Sequence, residues 1–514
     1  MPVPDLESRP IRFVHRGAIV AVQDAPTTQS VLYWLRETAH CVGTKEGCNE
    51  GDCGACMVLI AERDADAPDG VALRPANACL QFLSALDGKA LITVEDLKRI
   101  GPSEAHPAQQ AMVDCHGSQC GFCTPGFTMS LAACYDNALA NGLLPTRRQL
   151  ADVLSGNLCR CTGYRPILDA GEAMFDRPEA RIDRRVLATL LDTLATDAPL
   201  HYRAPESALA AIAAPDDAAW VVAPRSIDDL AALYATHPDA RLVAGATDVG
   251  LWVTKQFRPM PKTIRVDAVD AMKTIAWHGE TLSIGAGASL EAAWSALVEL
   301  APALREMQLR FASLPLRLAG TMGGSVANGS PIGDSAPALL ALDATLLLRR
   351  DRTRRRVALV DFYVDYLKNR LEPGEFVEAI EVPRPIDGTR VRGYKLSKRY
   401  DCDVSAVCAG LSVRMQHGRV AQIRIAFGGM AATCRRVEAA ETVVLGSPWD
   451  EATLDSAVDA LARDFAPMTD LRASAAYRKK AAGNLLRRFW METREAAPLA
   501  ADRTSVWTIR VDAR

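Results

Sequence analysis

Fourteen cysteines are spread unevenly over 514 residues, and every close spacing among them lies at or before Cys161. In the first group Cys48-x4-Cys53-x2-Cys56 is followed by a lone Cys79; in the second, Cys120-x2-Cys123 is answered by Cys159-x-Cys161. This pattern constrains the chain more than any hydrophobic period does, because four sulfurs in each group must be gathered around a shared centre. The first spacing is that of plant-type 2Fe–2S sites. Two irons need two thiolates each; three come from one tight loop and Cys79 supplies the fourth. Gly47, Gly51 and Gly54 let that loop wrap a cluster with backbone N–H groups toward the sulfurs. A zinc site with four cysteine ligands is the alternative, since C-x2-C is a common zinc half-site. In the second group C-x-C is too tight for an ordinary zinc knuckle and poorly suited to a disulfide. Cys41 and Cys134 read as small buried hydrophobes, and Cys115 stands outside the second set.

Composition sets the surroundings of these thiols. Hydrophobic residues make up 49% and charged residues 24%, as in soluble globular proteins, and the length allows several domains of roughly 100–200 residues. A formal net charge of −3 provides no overall basic field for nucleic acid or an anionic membrane. The opening MPVPDLESRPIRFVHRG lacks the continuous apolar core of a signal peptide. No run of about 18 apolar residues predicts a membrane span. The expected location is the cytoplasm, where clustered cysteines bind metal or do redox chemistry rather than form disulfides.

Along the chain, Ile11, Phe13, Ile19 and Val20 flank a turn at Arg16-Gly17 and predict a hairpin. A short helix with Val31, Leu32 and Leu35 on one face precedes the cysteine loop, and Met57 to Ala61 reads as a strand. Thr124-Pro125 predicts a helix start with Thr124 as N-cap. Thr146 and Gln149 form a capping box, and Pro166 to Phe175 reads as a further helix. Strand–helix alternation resumes at Trp220, with Ser226 as an N-cap, and helices are expected over 451–465 and 471–493. The predicted organisation is multidomain α+β: a ferredoxin-like domain over 1–93, a helical cluster-binding domain over 94–176, a linker with some helix over 177–217, a third domain over 218–390 and a last one over 391–514.

The stretches Gly43 to Cys56, Gly117 to Gly126 and Gly156 to Pro166 resemble the two cluster-binding segments of the molybdenum hydroxylase family. The resemblance implies a β-grasp 2Fe–2S domain, a helical-bundle 2Fe–2S domain, an FAD-binding domain of the vanillyl-alcohol-oxidase type and an α+β C-terminal flavoprotein domain. The metal ligands would be Cys48, Cys53, Cys56, Cys79, Cys120, Cys123, Cys159 and Cys161.

No Gly-x-Gly-x-x-Gly opens a helix after a strand in the third region. Gly285-Ala-Gly-Ala-Ser is the nearest approach and reads as a turn between strand-like runs, so a Rossmann fold is not expected. Leu242 to Val249 and Gly320 to Asp334 combine small residues with hydroxyls, as a backbone cradle for diphosphate needs; two ordinary tight turns would read the same way. By resemblance, Leu242, Val243, Ala244, Gly245, Ala246, Thr247, Asp248 and Val249 would wrap the FAD diphosphate, and Thr321, Gly324 and Ser325 would complete the cradle. Phe311 would pack on the isoalloxazine ring. Asp334 would contact the adenosine portion and Lys395 the flavin portion. Ala246 and Ser325 stand where an amide is common in the family. Lys398, Arg399, Asp401 and Asp403 resemble its basic–acidic loop, a solvated charge cluster being the plainer reading. Gln119, beside Cys120, would hydrogen-bond the pterin of a molybdenum cofactor on a partner.

Two cluster domains fused to a flavin domain, with no molybdopterin region after them, resemble the small subunit of bacterial xanthine dehydrogenases. That implies a molybdopterin-binding large subunit as partner, an α2β2 heterotetramer, and NAD as electron acceptor during hypoxanthine and xanthine oxidation. The same module serving an aldehyde or N-heterocycle, a molybdenum-free NADH-linked reductase, and a zinc-stapled scaffold are the alternatives.

Overall fold

The computed structural model describes residues 7–100, 105–205, 219–500 and 503–505. The first domain is a β-grasp. Strands β1 (Ile11–His15), β2 (Ala18–Val22), β3 (Met57–Arg63), β4 (Val71–Asn77) and β5 (Ala90–Ile92) lie in the order β2-β1-β5-β3-β4. The expected hairpin is present. Arg16 and Gly17 both take positive φ, the two-residue turn whose twist matches that of its strands. Val31, Leu32 and Leu35 are all buried, on a short helix that widens into a π turn over Trp34–Thr38.

Helices Pro107–Asp114, Thr124–Asn141, Arg147–Val153 and Arg165–Ala173 form the second domain. The Thr146–Gln149 capping box forms as expected. The longest helix starts differently. Cys123, not Thr124, takes the N-cap position, because the Thr124 hydroxyl is committed to Ser118 Oγ at 2.7 Å. The stretch expected as a linker carries the helix Arg184–Ala195 and strand β6 (Leu200–Arg203); its residues 206–217 lie outside the described ones.

Strand β6 opens a four-stranded sheet with β7 (Trp220–Ala223), β8 (Arg241–Val243) and β9 (Lys262–Arg265), in the order β6-β7-β9-β8. Ser226 caps the helix Ile227–Thr236 by accepting the Asp229 N–H. An antiparallel sheet follows, built from β10 (Ile275–His278), β11 (Thr281–Gly285), β12 (Thr345–Arg350), β13 (Thr353–Ala358) and β16 (Phe376–Pro383), in the order β10-β11-β16-β12-β13. Between β13 and β16 lies a small ribbon of β14 (Tyr363–Asp365) and β15 (Lys368–Asn369). The Gly285 turn does follow a strand and precede a helix, Leu290–Leu300, contrary to the expectation of strands on both sides. It is still not a nucleotide turn: its Gly285 and Gly287 N–H groups bond Thr274 O and Met272 O at 2.8 Å. In the last domain β17 (Arg390–Leu396), β18 (Val407–Gln416), β19 (Arg419–Gly428) and β20 (Arg435–Arg436) form an antiparallel sheet. Helices Glu451–Asp464 and Ala475–Thr493 share its core.

The cores cross the domain borders. Ile11, Phe13 and Leu35 of the first domain share one cluster with Leu200, Tyr202 and Val221. Its other face, through Leu59 and Leu73, packs with Phe127 and Leu131 of the helical domain. Val391, Cys408 and Ala426 of the last domain complete the core of the third. Charge reinforces the first of these junctions. Asp267 accepts from Lys89 of the first domain at 3.2 Å and pairs with Arg265. Burial would raise its carboxyl, but Arg265 and Lys89 outweigh burial and hold it well below the usual carboxylate range.

A carboxylate depressed in this way stabilises the fold fully above its unfolded value, and the contribution drains away as pH falls through the depressed one. Lys89→Ala should therefore cost about 1–3 kcal/mol in urea unfolding at neutral pH. Wild type and variant should converge only in strongly acid solution. Equal stability at pH 7 would show that the pair contributes nothing to the junction.

Candidate cluster sites and flavin cradle

The loop that carries Cys48, Cys53 and Cys56 is held by its own sulfurs. Cys48 N–H donates to Cys53 Sγ and Cys53 N–H to Cys48 Sγ, both at 3.3 Å. The Cys48 and Cys53 thiols also bond one another; that contact brings Cys48 down to about 5 and pushes Cys53 up. Cys56 and Cys79 form the second pair, with Cys56 lowered by the Cys79 thiol and Cys79 raised by Cys56. Electrostatic coupling of Cys48 to both Cys56 and Cys79 ties the four together.

The second group repeats this arrangement at the ends of two helices. Cys120 is lowered by the Phe122 N–H and then by the Cys161 thiol. Burial and then the Cys159 thiol push Cys123 up to about 12. Burial would raise Cys159, but the Thr162 hydroxyl and the N–H groups of Thr162 and Cys161 bring it down. Each set thus presents two thiol pairs, with one sulfur in each favouring the thiolate that a metal requires. Two irons with two thiolates apiece need pairs. The eight predicted ligands meet in two sets of four, the thiolate count that two 2Fe–2S clusters need, and Cys41 and Cys134 stay apart from them, Cys41 sealed against His15. The second set opens outward: Gln119, Cys120 and Cys161 are exposed.

The two cluster loops touch directly. Leu158 N–H, next to Cys159, donates to the carbonyl of Cys53 at 2.9 Å. Gly54, at φ +69°, sits where a Cβ would come within 2.2 Å of Gly156 O, so no other residue allows this approach. The buried Asn157 links the pieces: its Nδ2 donates to Gly54 O and its Oδ1 accepts from Ser130. No expectation from the sequence gave Asn157 or Leu158 a role, although both lie inside the Gly156–Pro166 stretch.

The Leu242–Val249 loop has the features of a diphosphate cradle. Gly245 abuts the other loop so closely that a Cβ would meet Ala319 O at 1.7 Å. Among the described residues the N–H groups of Gly245, Ala246, Thr247 and Asp248 have no protein acceptor. Successive free N–H groups form a nest for an anion. The second loop differs from expectation. Gly324 N–H is bonded to Thr321 Oγ1 at 3.1 Å, and Ser325 N–H to Thr321 O at 3.0 Å. Met322 and Gly323 are also engaged, with Ala288 and Ala286. An N–H already bonded cannot serve a phosphate without breaking that bond, so this loop backs the first one. Among the described residues named for this loop, the Ser325 hydroxyl and the Thr321 N–H carry no bond to the protein.

Asp334 and Lys395 are joined in a buried ion pair at 2.5 Å, with Ser405 Oγ on the other carboxylate oxygen. The resemblance implied contacts of Asp334 with the adenosine portion and Lys395 with the flavin portion of FAD; in the structure the two side chains are each other's partners. Phe311 is half-buried and leans on Trp294, with ring centroids 6.0 Å apart. Its turn is clamped by Arg317, whose Nη1 donates to Phe311 O at 3.0 Å and to Ala312 O at 3.2 Å. Arg317 is a positioning residue that the sequence reading missed; a buried arginine has no local signature. Arg399 lies against Asp52 of the first cluster loop at 3.6 Å and Cys402 Sγ against the same carboxylate at 3.8 Å. The basic–acidic loop is thus a junction and more than a solvated cluster.

Iron analysis should find about four irons per chain. Cys48→Ser or Cys53→Ser should abolish one of two paramagnetic signals seen on reduction, and Cys120→Ser or Cys161→Ser the other. Zinc in place of iron, with no such signals, would refute the assignment. Phe311→Ala should loosen FAD or alter its absorption while both cluster signals persist. Unchanged flavin content and spectrum would remove Phe311 from the site.

Four family profiles match successive parts of the chain. They are "2Fe-2S iron-sulfur cluster binding domain" over residues 16–83, "[2Fe-2S] binding domain" over 93–172, "FAD binding domain in molybdopterin dehydrogenase" over 216–385 and "CO dehydrogenase flavoprotein C-terminal domain" over 392–493. The chain is 30% identical over 496 residues to xanthine dehydrogenase/oxidase of Rattus norvegicus, covering 88% of this chain and 36% of the relative. It is 28% identical over 492 residues to aldehyde oxidase 4 of Cavia porcellus, covering 87% of this chain and 36% of the relative. The chain therefore spans about a third of the length of the curated relatives it matches. A structure of Cu,Mo-CO dehydrogenase aligns with TM-score 0.50 and 30% identity over 52% of this chain and 94% of that one. No described helix is long and apolar enough to cross a membrane. The chain belongs to the molybdenum hydroxylase family, of which it forms the iron–sulfur and FAD-binding portion.

Proposed function

We propose that this chain is the electron conduit of a cytoplasmic xanthine dehydrogenase. A partner subunit holding molybdopterin oxidises hypoxanthine and xanthine, and electrons leave through this chain to NAD⁺. When bound, the clusters supply one-electron relay and FAD a two-electron exchange with the nicotinamide. The observation that carries the reading is an unbroken line of contact. Cys120 and Cys161 sit at the exposed end with Gln119 beside them. Cys159 is adjacent to Leu158, which is bonded to Cys53. Cys79 is two residues from Gln81, which is bonded to Gly245 of the flavin loop at 3.0 Å. Each cofactor site is thus one hydrogen bond from the next.

The residues divide the work accordingly. Gln119 faces the partner's cofactor. The cysteine pairs hold charge that the loop N–H groups stabilise, and the Gly245–Asp248 amides take the diphosphate. The α2β2 assembly follows by family likeness and the general preference for closed symmetry. Similarity to a xanthine dehydrogenase/oxidase supports the purine substrate. The match to an aldehyde oxidase supports a second reading, in which the same conduit serves an aldehyde or N-heterocycle.

The two ends of a conduit are separable. The isolated chain, loaded with clusters and FAD, should reduce artificial dyes with NADH and leave xanthine untouched. Adding the molybdopterin subunit should bring xanthine-dependent NADH formation, and an aldehyde or N-heterocycle turned over in its place would select the second reading. Xanthine oxidation by the molybdenum-free chain alone would overturn the conduit.

A further inference from the structure

We infer that the flavin cradle is completed from outside its own domain, with Gln81 of the iron–sulfur domain as the residue that orients its anion-binding amides. The inference rests on the flavin reading above. Gln81 is only 7% exposed, and its Nε2–H donates to Gly245 O at 3.0 Å. Its backbone is pinned as well, since Gln81 O accepts from Val31 N–H at 2.8 Å. Next to it, Phe82 shares a small buried cluster with Val243, Ala246 and Met260. On its other side, Leu80 presses on Gly250, where a Cβ would lie 3.1 Å from Leu80 O. Three consecutive residues after Cys79 thus meet the chain from Val243 to Gly250, just past the loop's end.

The cradle needs such support. Ala246 takes φ +55°, a left-handed conformation that is strained for a residue with a Cβ. Strain of this kind persists only where the surroundings over-determine it. A trans peptide sets its C=O and N–H on opposite sides. By holding Gly245 O, Gln81 therefore turns the Ala246 N–H away from the iron–sulfur domain and into the run of free amides. Without Gln81 the peptide between Gly245 and Ala246 loses the partner that fixes its plane. The cradle can then relax away from the geometry a diphosphate requires.

The test compares cluster-loaded full-length wild type, Gln81→Ala, Ala246→Gly and the double variant. FAD dissociation constants come from flavin fluorescence, and cluster signals and thermal midpoints are recorded alongside. Gln81→Ala should weaken FAD about tenfold, the scale of one buried hydrogen bond lost, with both cluster signals intact. Gly tolerates positive φ without strain, so the double variant should regain most of the lost affinity. Wild-type affinity in Gln81→Ala would overturn the inference. So would loss of clusters and FAD together without rescue by Ala246→Gly, which would mark Gln81 as a packing residue only. A wild-type chain that binds no FAD would refute the flavin reading itself and this inference with it.

Discussion

Everything in this molecule is arranged around the backbone of the first cluster loop. At Gly54 three chain segments meet with no side chain between them: a Cβ there would strike Gly156 O, and a Cβ at Gly126 would lie 2.1 Å from Gly54 O. Contact this close lets Leu158 N–H reach Cys53 O and Asn157 Nδ2 reach Gly54 O, and so joins the two cysteine groups directly. The remaining domains come to the same loop. Lys255 of the third donates to Cys48 O at 2.5 Å, and Arg399 of the fourth faces Asp52. Electron transfer falls off with separation, so a protein that relays charge gains from packing backbone on backbone at the sites that hold it.

The shared cores follow from the same demand. A cluster domain with its own closed core could tumble against its neighbours, and the distance between centres would then fluctuate. Here the β-grasp sheet uses one face against the helical domain and the other against strand β6 and its sheet. The Asp267–Lys89 contact adds a directional tie at that second junction. Apolar area supplies most of the cohesion, and the buried charges set orientation.

Much of the local structure was legible in the residues. The Arg16-Gly17 hairpin, the Thr146–Gln149 capping box and the Ser226 cap depend on neighbours a few positions away, and each formed where the sequence puts it. The cysteine spacings likewise announced two four-sulfur sets. Less legible was anything that depends on a distant competitor. Thr124 lost its capping role to a bond with Ser118. Gly324 and Ser325 looked like phosphate donors, yet Thr321 had already taken their N–H groups. The pairing of Asp334 with Lys395, sixty-one residues apart, left no local sign.

By itself the sequence determined the chemistry: eight thiols in two sets, a loop of small residues from Ala244 to Thr247, and the order of the domains. These are covalent facts, since spacing along a chain dictates which groups can surround one centre. The tertiary structure alone decided how the centres are joined. Leu158 and Gln81 became links because folding brought backbone and amide groups within hydrogen-bond reach across 105 and 164 residues. Contacts at that separation are selected by global packing, and no local pattern encodes them.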